Sequence, residues 1–176
     1  KKYTVWFKKF YNEKANPSNI ADAIAAFERS LESTSSRFDN EMLGNSPGMT
    51  AQEVRGRDLF LSKKAKCFDC HFSPDFTIDQ FKNIGLYNET QFTDKGRYEI
   101  TKKPEDIGKF KVPGLRNVAL TAPYMHNGKF KTLREVIDYY DNPLATMPDG
   151  INRDTVLRQP LHLTEQDKQD LEAFLH

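Results

Sequence analysis

A mostly α-helical chain, with capped helices toward both ends and a long irregular middle, is what three features of the sequence predict. Apolar residues recur at helical spacing in Ile20, Ile24, Phe27 and Leu31. Thr50-Ala51-Gln52-Glu53 and Thr132-Leu133-Arg134-Glu135 each place a hydroxyl three residues before a glutamate, the reciprocal cap that opens a helix. The stretch from His71 to Lys131 has no helical period, and it carries Pro74, Pro104, Pro113 and Pro123 with Gly85, Gly96, Gly108, Gly114 and Gly128.

Taken in order, Tyr3, Val5, Trp6, Phe7 and Phe10 crowd a short amphipathic helix that Asn12 and Asn16-Pro17 close. Pro17 suits a helix first position behind an Asn16 cap. Ala21, Ala23, Ala25 and Ala26 supply propensity for a helix over 17–32. Ser33–Asn40 and Gly44–Gly48 read as polar turn material linking two packed parts. The helix opened by Thr50 should run to Leu61, turn Val54, Leu59, Phe60 and Leu61 inward, and end in a basic turn of Lys63, Lys64 and Lys66. Within the irregular middle only Arg97–Thr101 suggests a short strand. Thr132 then opens a helix to Tyr140, and Thr164 opens the last, through Leu171, Phe174 and Leu175.

At 176 residues the chain suits one compact domain. Its 26 basic and 25 acidic residues leave a net charge of +1, which gives no reason to expect a nucleic-acid partner. No apolar run is long enough to span a membrane. No secretory leader is legible in Lys1-Lys2-Tyr3-Thr4, and two cysteines make no disulfide scaffold. The apolar share is 38%, against about 45–50% for an ordinary globular domain. A core so thinly supplied calls for something else to fill it.

Cys67-Phe68-Asp69-Cys70-His71 answers that call. It is C-x-x-C-H, the attachment signal for c-type haem, in a chain with only two cysteines and four histidines. The thiols add to the two vinyl groups of one porphyrin, and the adjacent imidazole becomes the proximal iron ligand. A thioredoxin-type redox pair would want a βαβ context, which is absent. Half a zinc site would need two more ligands at regular spacing, and His126 and His162 are poorly placed to supply them. Two buried structural cysteines are the blandest reading and the weakest. From the residues alone the second axial position stays open among Met42, Met49, Met125, Met147, His126, His162, Tyr140 and no protein ligand.

Around the motif, further blocks resemble the C-terminal half of the bacterial di-haem cytochrome c peroxidase family, which includes MauG. They are Asp94-Lys95-Gly96-Arg97-Tyr98, Phe110-Lys111-Val112-Pro113-Gly114-Leu115-Arg116-Asn117-Val118 and Leu120-Thr121-Ala122-Pro123-Tyr124-Met125-His126-Asn127-Gly128. Ala23–Leu31 resembles the family helix that precedes that half. The resemblance implies a cytochrome c-like domain over 41–176, its helices joined by long irregular loops that wrap one haem c. It assigns residues 1–40 to the end of an N-terminal peroxidase domain. Family members carry two haems and this chain one C-x-x-C-H, so it reads as a fragment lacking the N-terminal haem domain.

By the same resemblance the distal ligand is a methionine in the peroxidases and a tyrosine in MauG, and the matching position is Tyr140, with Met125 as the alternative. Tyr140 and His71 would then be the metal ligands. His126 is expected to hydrogen-bond near the haem and Arg116 to pair with a propionate. A calcium ion, held in the family partly by carbonyls matching Thr121 and Pro123, is expected only in the intact protein. Lys63, Lys64 and Lys66 form either a solvated face or a steering patch for an acidic donor. The implied function is electron transfer to a peroxide-reducing haem elsewhere in a periplasmic protein, from a small cytochrome or cupredoxin. A stand-alone mono-haem cytochrome and a MauG-type protein-oxidising enzyme are the alternatives.

Overall fold

A computed structural model describes residues 2–176. Among the described residues eight α-helices follow one another: α1 Lys2–Tyr11, α2 Pro17–Arg29, α3 Arg37–Leu43, α4 Ala51–Phe60, α5 Tyr98–Thr101, α6 Leu133–Asp141, α7 Pro143–Thr146 and α8 Glu165–Leu175. The only sheet among the described residues is an antiparallel pair, β1 Phe81–Lys82 and β2 Phe110–Lys111, with Phe81 opposite Lys111. The chain is thus mostly helical, as expected.

Local chemistry explains the helix starts. Asn16 and Asn19 cap each other at α2, with Pro17 in the first turn, where a missing N–H costs nothing. Thr50 with Glu53 opens α4, Thr132 with Glu135 opens α6, and Thr164 with Asp167 opens α8. From Cys67 to Lys131 the chain forms only brief turns and the two-residue strands, in line with its proline and glycine content.

Four expectations need correction. Ser33–Asn40 is not all linker, because Ser36 and Asp39 form a capping box that starts α3, and Gly44 ends it at φ 70°. That helix spans residue 40. Arg97–Thr101 is no strand. The Arg97 side chain and the Thr101 hydroxyl both reach the buried Asp106 carboxylate, and that shared anchor curls the segment into the one-turn α5. Leu61 does not face inward; it lies one residue beyond α4 and is 45% exposed. Finally, α2 ends at Arg29 rather than near residue 32, with Ser30 closing it.

Two apolar clusters make the body. Phe60, Ala65, Phe76, Ile137, Leu161, Leu163 and Leu171 form the first, edged by Phe38 and Phe174. Here α4 crosses α8 so closely that a Cβ on Gly56 would lie 1.9 Å from the Asp170 carbonyl oxygen, so only glycine fits. Leu86, Phe130, Tyr139 and Met147 form the second. Between these clusters the packing leaves a cavity.

Candidate functional site

The cavity has a volume of about 460 Å³, within the usual range of roughly 300–1,000 Å³ for cofactor and ligand sites. Its walls are largely apolar: Phe60, Ile84, Val112, Leu115, Val136 and Ile137 among others. Cys67, Cys70 and His71 all line it. Lys66 at φ 56° turns the chain in after α4, and the 3₁₀ turn Cys67–Asp69 follows. The backbone N–H groups of Cys70 and His71 both donate to the Cys67 carbonyl, at 3.2 and 2.9 Å, so one turn presents all three side chains.

His71 is oriented by its neighbours. Its Nδ1–H donates to the Phe76 carbonyl at 2.8 Å. A carbonyl can only accept, so Nδ1 carries the proton and the Nε2 lone pair is left to bind a metal. Burial also pushes the imidazole below its ordinary proton affinity, against the opposing bond to the Phe76 backbone. Burial pushes the Cys67 thiol up to about 12 and raises that of Cys70, where Lys82 opposes the rise and Asp154 adds to it. Reactive redox pairs need a lowered thiol, and burial acts on both of these in the opposite direction. Among the described residues no group of three or more His, Cys, Asp or Glu side chains could hold a metal ion, which leaves the zinc reading without ligands.

Helix α6 supplies another wall. Leu133, Val136, Ile137 and Tyr140 fall on its cavity side, at the spacing that puts residues one turn apart on one face. Tyr140 keeps accessible surface because it borders the cavity, yet protein surrounds it, and burial drives its phenol well above the ordinary value. Tyr139 points elsewhere: it is 1% exposed, and its hydroxyl donates to the Ile84 carbonyl at 2.6 Å. Neighbouring tyrosines thus have separate surroundings. Met125 also lines the cavity, at φ 68°, a costly backbone for a residue with a side chain. Met147 is buried in the second cluster, Met42 is exposed and Met49 borders a different cavity. His162 does not line the cavity either.

His126 stacks flat on Phe110, ring centroids 3.5 Å apart and planes 10° from parallel, and both border the cavity. Burial lowers its proton affinity, while Asp94 pulls the other way. Arg116 lies apart from these residues. It does not line the cavity; its guanidinium grips Asp39 with two bonds of 3.0 Å and also donates to the Ser33 and Pro74 carbonyls. The sequence reading put Asp39 in a linker, so this partner was hidden. The cations that do reach the cavity are Lys66, Lys82 and Lys111, and Lys82 meets Asp154 there at 3.1 Å. No spacing rule joins residues so far apart in the chain, so sequence reasoning missed this pair. Thr121 and Pro123 line the rim, but with no acidic cluster beside them they do not make a calcium site by themselves. Of the basic turn, Lys64 is committed to Asp167 at 2.5 Å.

These residues fit a covalently held haem. The paired thiols, the imidazole with a free Nε2 and the apolar walls meet in one cavity of suitable size.

The model of the di-haem cytochrome c peroxidase family matches residues 1–47. Cytochrome-c peroxidase IdrP1 of Denitromonas iodatirespirans is 37% identical over 87% of this chain and 47% of its own length. Methylamine utilization protein MauG of Methylophilus methylotrophus is 32% identical over 94% of the chain and 48% of its own length. The crystal structure of a MauG-like protein associated with microbial copper homeostasis superposes with a TM-score of 0.78 at 36% identity, over 99% of this chain and 57% of that one. The chain spans about half the length of the curated relatives it matches.

Proposed function

We propose, for a chain that belongs to the di-haem cytochrome c peroxidase and MauG family, that residues 41–176 hold one haem c and pass electrons toward a peroxide-reducing haem in the other half of a longer protein. Residues 1–40 belong, in this reading, with that other half. The observation that carries it is the single cavity on which Cys67, Cys70, His71 and Tyr140 converge. When bound there, haem c supplies reversible one-electron chemistry at iron.

The chain's own residues do the rest. Cys67 and Cys70 tether the group through thioethers, which also ends their titration. His71 offers Nε2 to the metal, and the Phe76 carbonyl holds the ring in that tautomer. Tyr140, on the cavity wall, would be the other protein ligand to the metal. Burial holds the Tyr140 phenol in its neutral form, so it would lose its proton to solvent only where a metal cation takes the proton's place, and an anionic oxygen there would favour the more oxidised metal and a low potential. Apolar walls from α4, α6 and α8 keep water away from the site. Electrons would come from a small cytochrome or cupredoxin, and two of them with two protons reduce hydrogen peroxide to two waters in the intact protein. In this reading the protein works in a bacterial periplasm, where haem c is attached.

A second reading is protein oxidation of the MauG kind. The placement of Tyr140 favours it, as does the likeness to MauG and to the MauG-like protein of copper homeostasis.

The test is to make the chain in a host that matures c-type cytochromes and measure its mass and ferric spectrum. The expected product is coloured and one haem heavier than the bare chain, and the Cys67→Ala/Cys70→Ala variant is colourless. Tyr140→Phe should abolish a phenolate charge-transfer band that Met125→Leu leaves intact. Colourless wild-type protein would sink the haem assignment. A methionine–iron band in wild type, lost in Met125→Leu, would replace Tyr140 with Met125.

A further inference from the structure

The cavity lining contains one carboxylate, Asp154. Its partner Lys82 lines the same cavity, and Cys70 borders it too. Both side chains are largely withdrawn from solvent, 29% exposed for Lys82 and 21% for Asp154. Lys111, the cavity cation on the adjoining strand, is 54% exposed and pairs outward with Asp79. Pairs such as Lys168–Asp141 are at least as withdrawn from solvent, but Lys82–Asp154 is the pair whose two members both line the cavity.

Its geometry is held from both ends. The Asp154 carboxylate accepts from the Val156 N–H at 3.1 Å, capping the 3₁₀ turn Thr155–Leu157, whose Val156 and Leu157 also face the cavity. The Asp154 backbone N–H donates to the Asn83 carbonyl at 2.9 Å. Asn83 follows Lys82 directly, is 2% exposed, and ties its amide to the Ile107 and Ile151 carbonyls at 2.9 and 3.0 Å. One buried asparagine thus fixes the strand that carries the cation and the turn that carries the anion. A surface ion pair needs no such scaffold, and on its own contributes little stability.

We propose that Lys82 and Asp154 are opposed charges that set the reduction potential of the haem in this cavity, a role that rests on the haem reading above. Reduction adds one electron to the iron, with no bond made or broken at these side chains, and lowers the charge of the site by one. A fixed carboxylate makes that addition less favourable; a fixed ammonium makes it more favourable. Between apolar walls both effects act at a lower effective dielectric than in water. As a pair the charges largely cancel, so removing either one exposes the other.

Potentiometric titration of the holoprotein with dithionite and mediators at a fixed neutral pH tests this, after covalent haem is verified by mass in each variant. Asp154→Asn keeps an oxygen to accept from Val156 and loses only the charge, so its midpoint should rise. Lys82→Gln should lower the midpoint, Lys82→Arg should restore it, and the double variant should return close to wild type. Lys111→Gln is the exposed control and should shift the midpoint least. Shifts of the same sign in the two single variants, or shifts no larger than that of Lys111→Gln, overturn the proposal. Haem-loaded protein with unmoved midpoints rejects this role alone, whereas colourless wild-type protein rejects the haem reading and this role with it.

Discussion

Helices α2 and α6 are written in the same local language and end in opposite surroundings. Each opens with a reciprocal cap and repeats apolar residues at helical spacing. In α6 the stripe is covered: Leu133, Ile137 and Tyr139 are buried, and Tyr140 faces the cavity. In α2 only Asn19 is buried, while Ile20, Ile24 and Phe27 lie exposed, as do Tyr3, Val5 and Phe10 of α1. An amphipathic pattern is a demand for a partner, and it does not say where the partner is. Large apolar patches left in solvent are unusual on a self-sufficient surface. Those on α1 and α2 are what the proposal that residues 1–40 belong with another half of a longer protein would leave uncovered in this chain, and the relative it matches is about twice this length.

The comparison can be broken by stability measurements on this chain. The largest effect belongs to the body: Phe60, 2% exposed and in edge contact with Phe76 and Phe174, should cost about 3–5 kcal/mol when changed to alanine, read by urea denaturation. Gly56→Ala comes next. The added methyl meets the Asp170 backbone where α4 crosses α8, and roughly 1–3 kcal/mol should be lost as the helices part.

A smaller effect locates α3. The Arg116 guanidinium, helped by Ser36, holds the Asp39 carboxyl down at about 2, from an ordinary value of 3.8, although partial burial opposes the shift. A lowered carboxyl stabilises the fold above its ordinary value and ceases to do so as pH falls toward about 2. Wild type should therefore lose on the order of 1–2 kcal/mol between about pH 5 and pH 2 that Asp39→Asn has already lost. Equal acid sensitivity in both would separate α3 from the body. The smallest effect should be Phe27→Ser on α2: with Phe27 64% exposed, the change should stay within about 0.5 kcal/mol. A loss there as large as that of Phe60→Ala would mean α2 is covered after all.

Much of the site was legible because its signals are local. The two thiols and the imidazole lie within one turn, and an attachment motif of adjacent residues needs no knowledge of the fold. The caps at Asn16, Thr50, Thr132 and Thr164 are equally local, since donor and acceptor lie three residues apart. The Ser36–Asp39 cap was just as local but went unread in a polar stretch, and with it went the partner that draws Arg116 away from the cavity. Tyr140 could be singled out by resemblance. That it faces the cavity while Tyr139 turns to Ile84 depended on how α6 rotates against the second cluster.

Short-range chemistry therefore already dictated the longer capped helices, their first turns and the clustering of two thiols with an imidazole. Which stripes are covered, which tyrosine looks into the cavity and which lysine meets Asp154 were decided only once distant segments met. The reason is physical. Caps and attachment motifs are satisfied within a few residues of backbone, whereas burial and charge pairing depend on neighbours that the chain brings close only by folding.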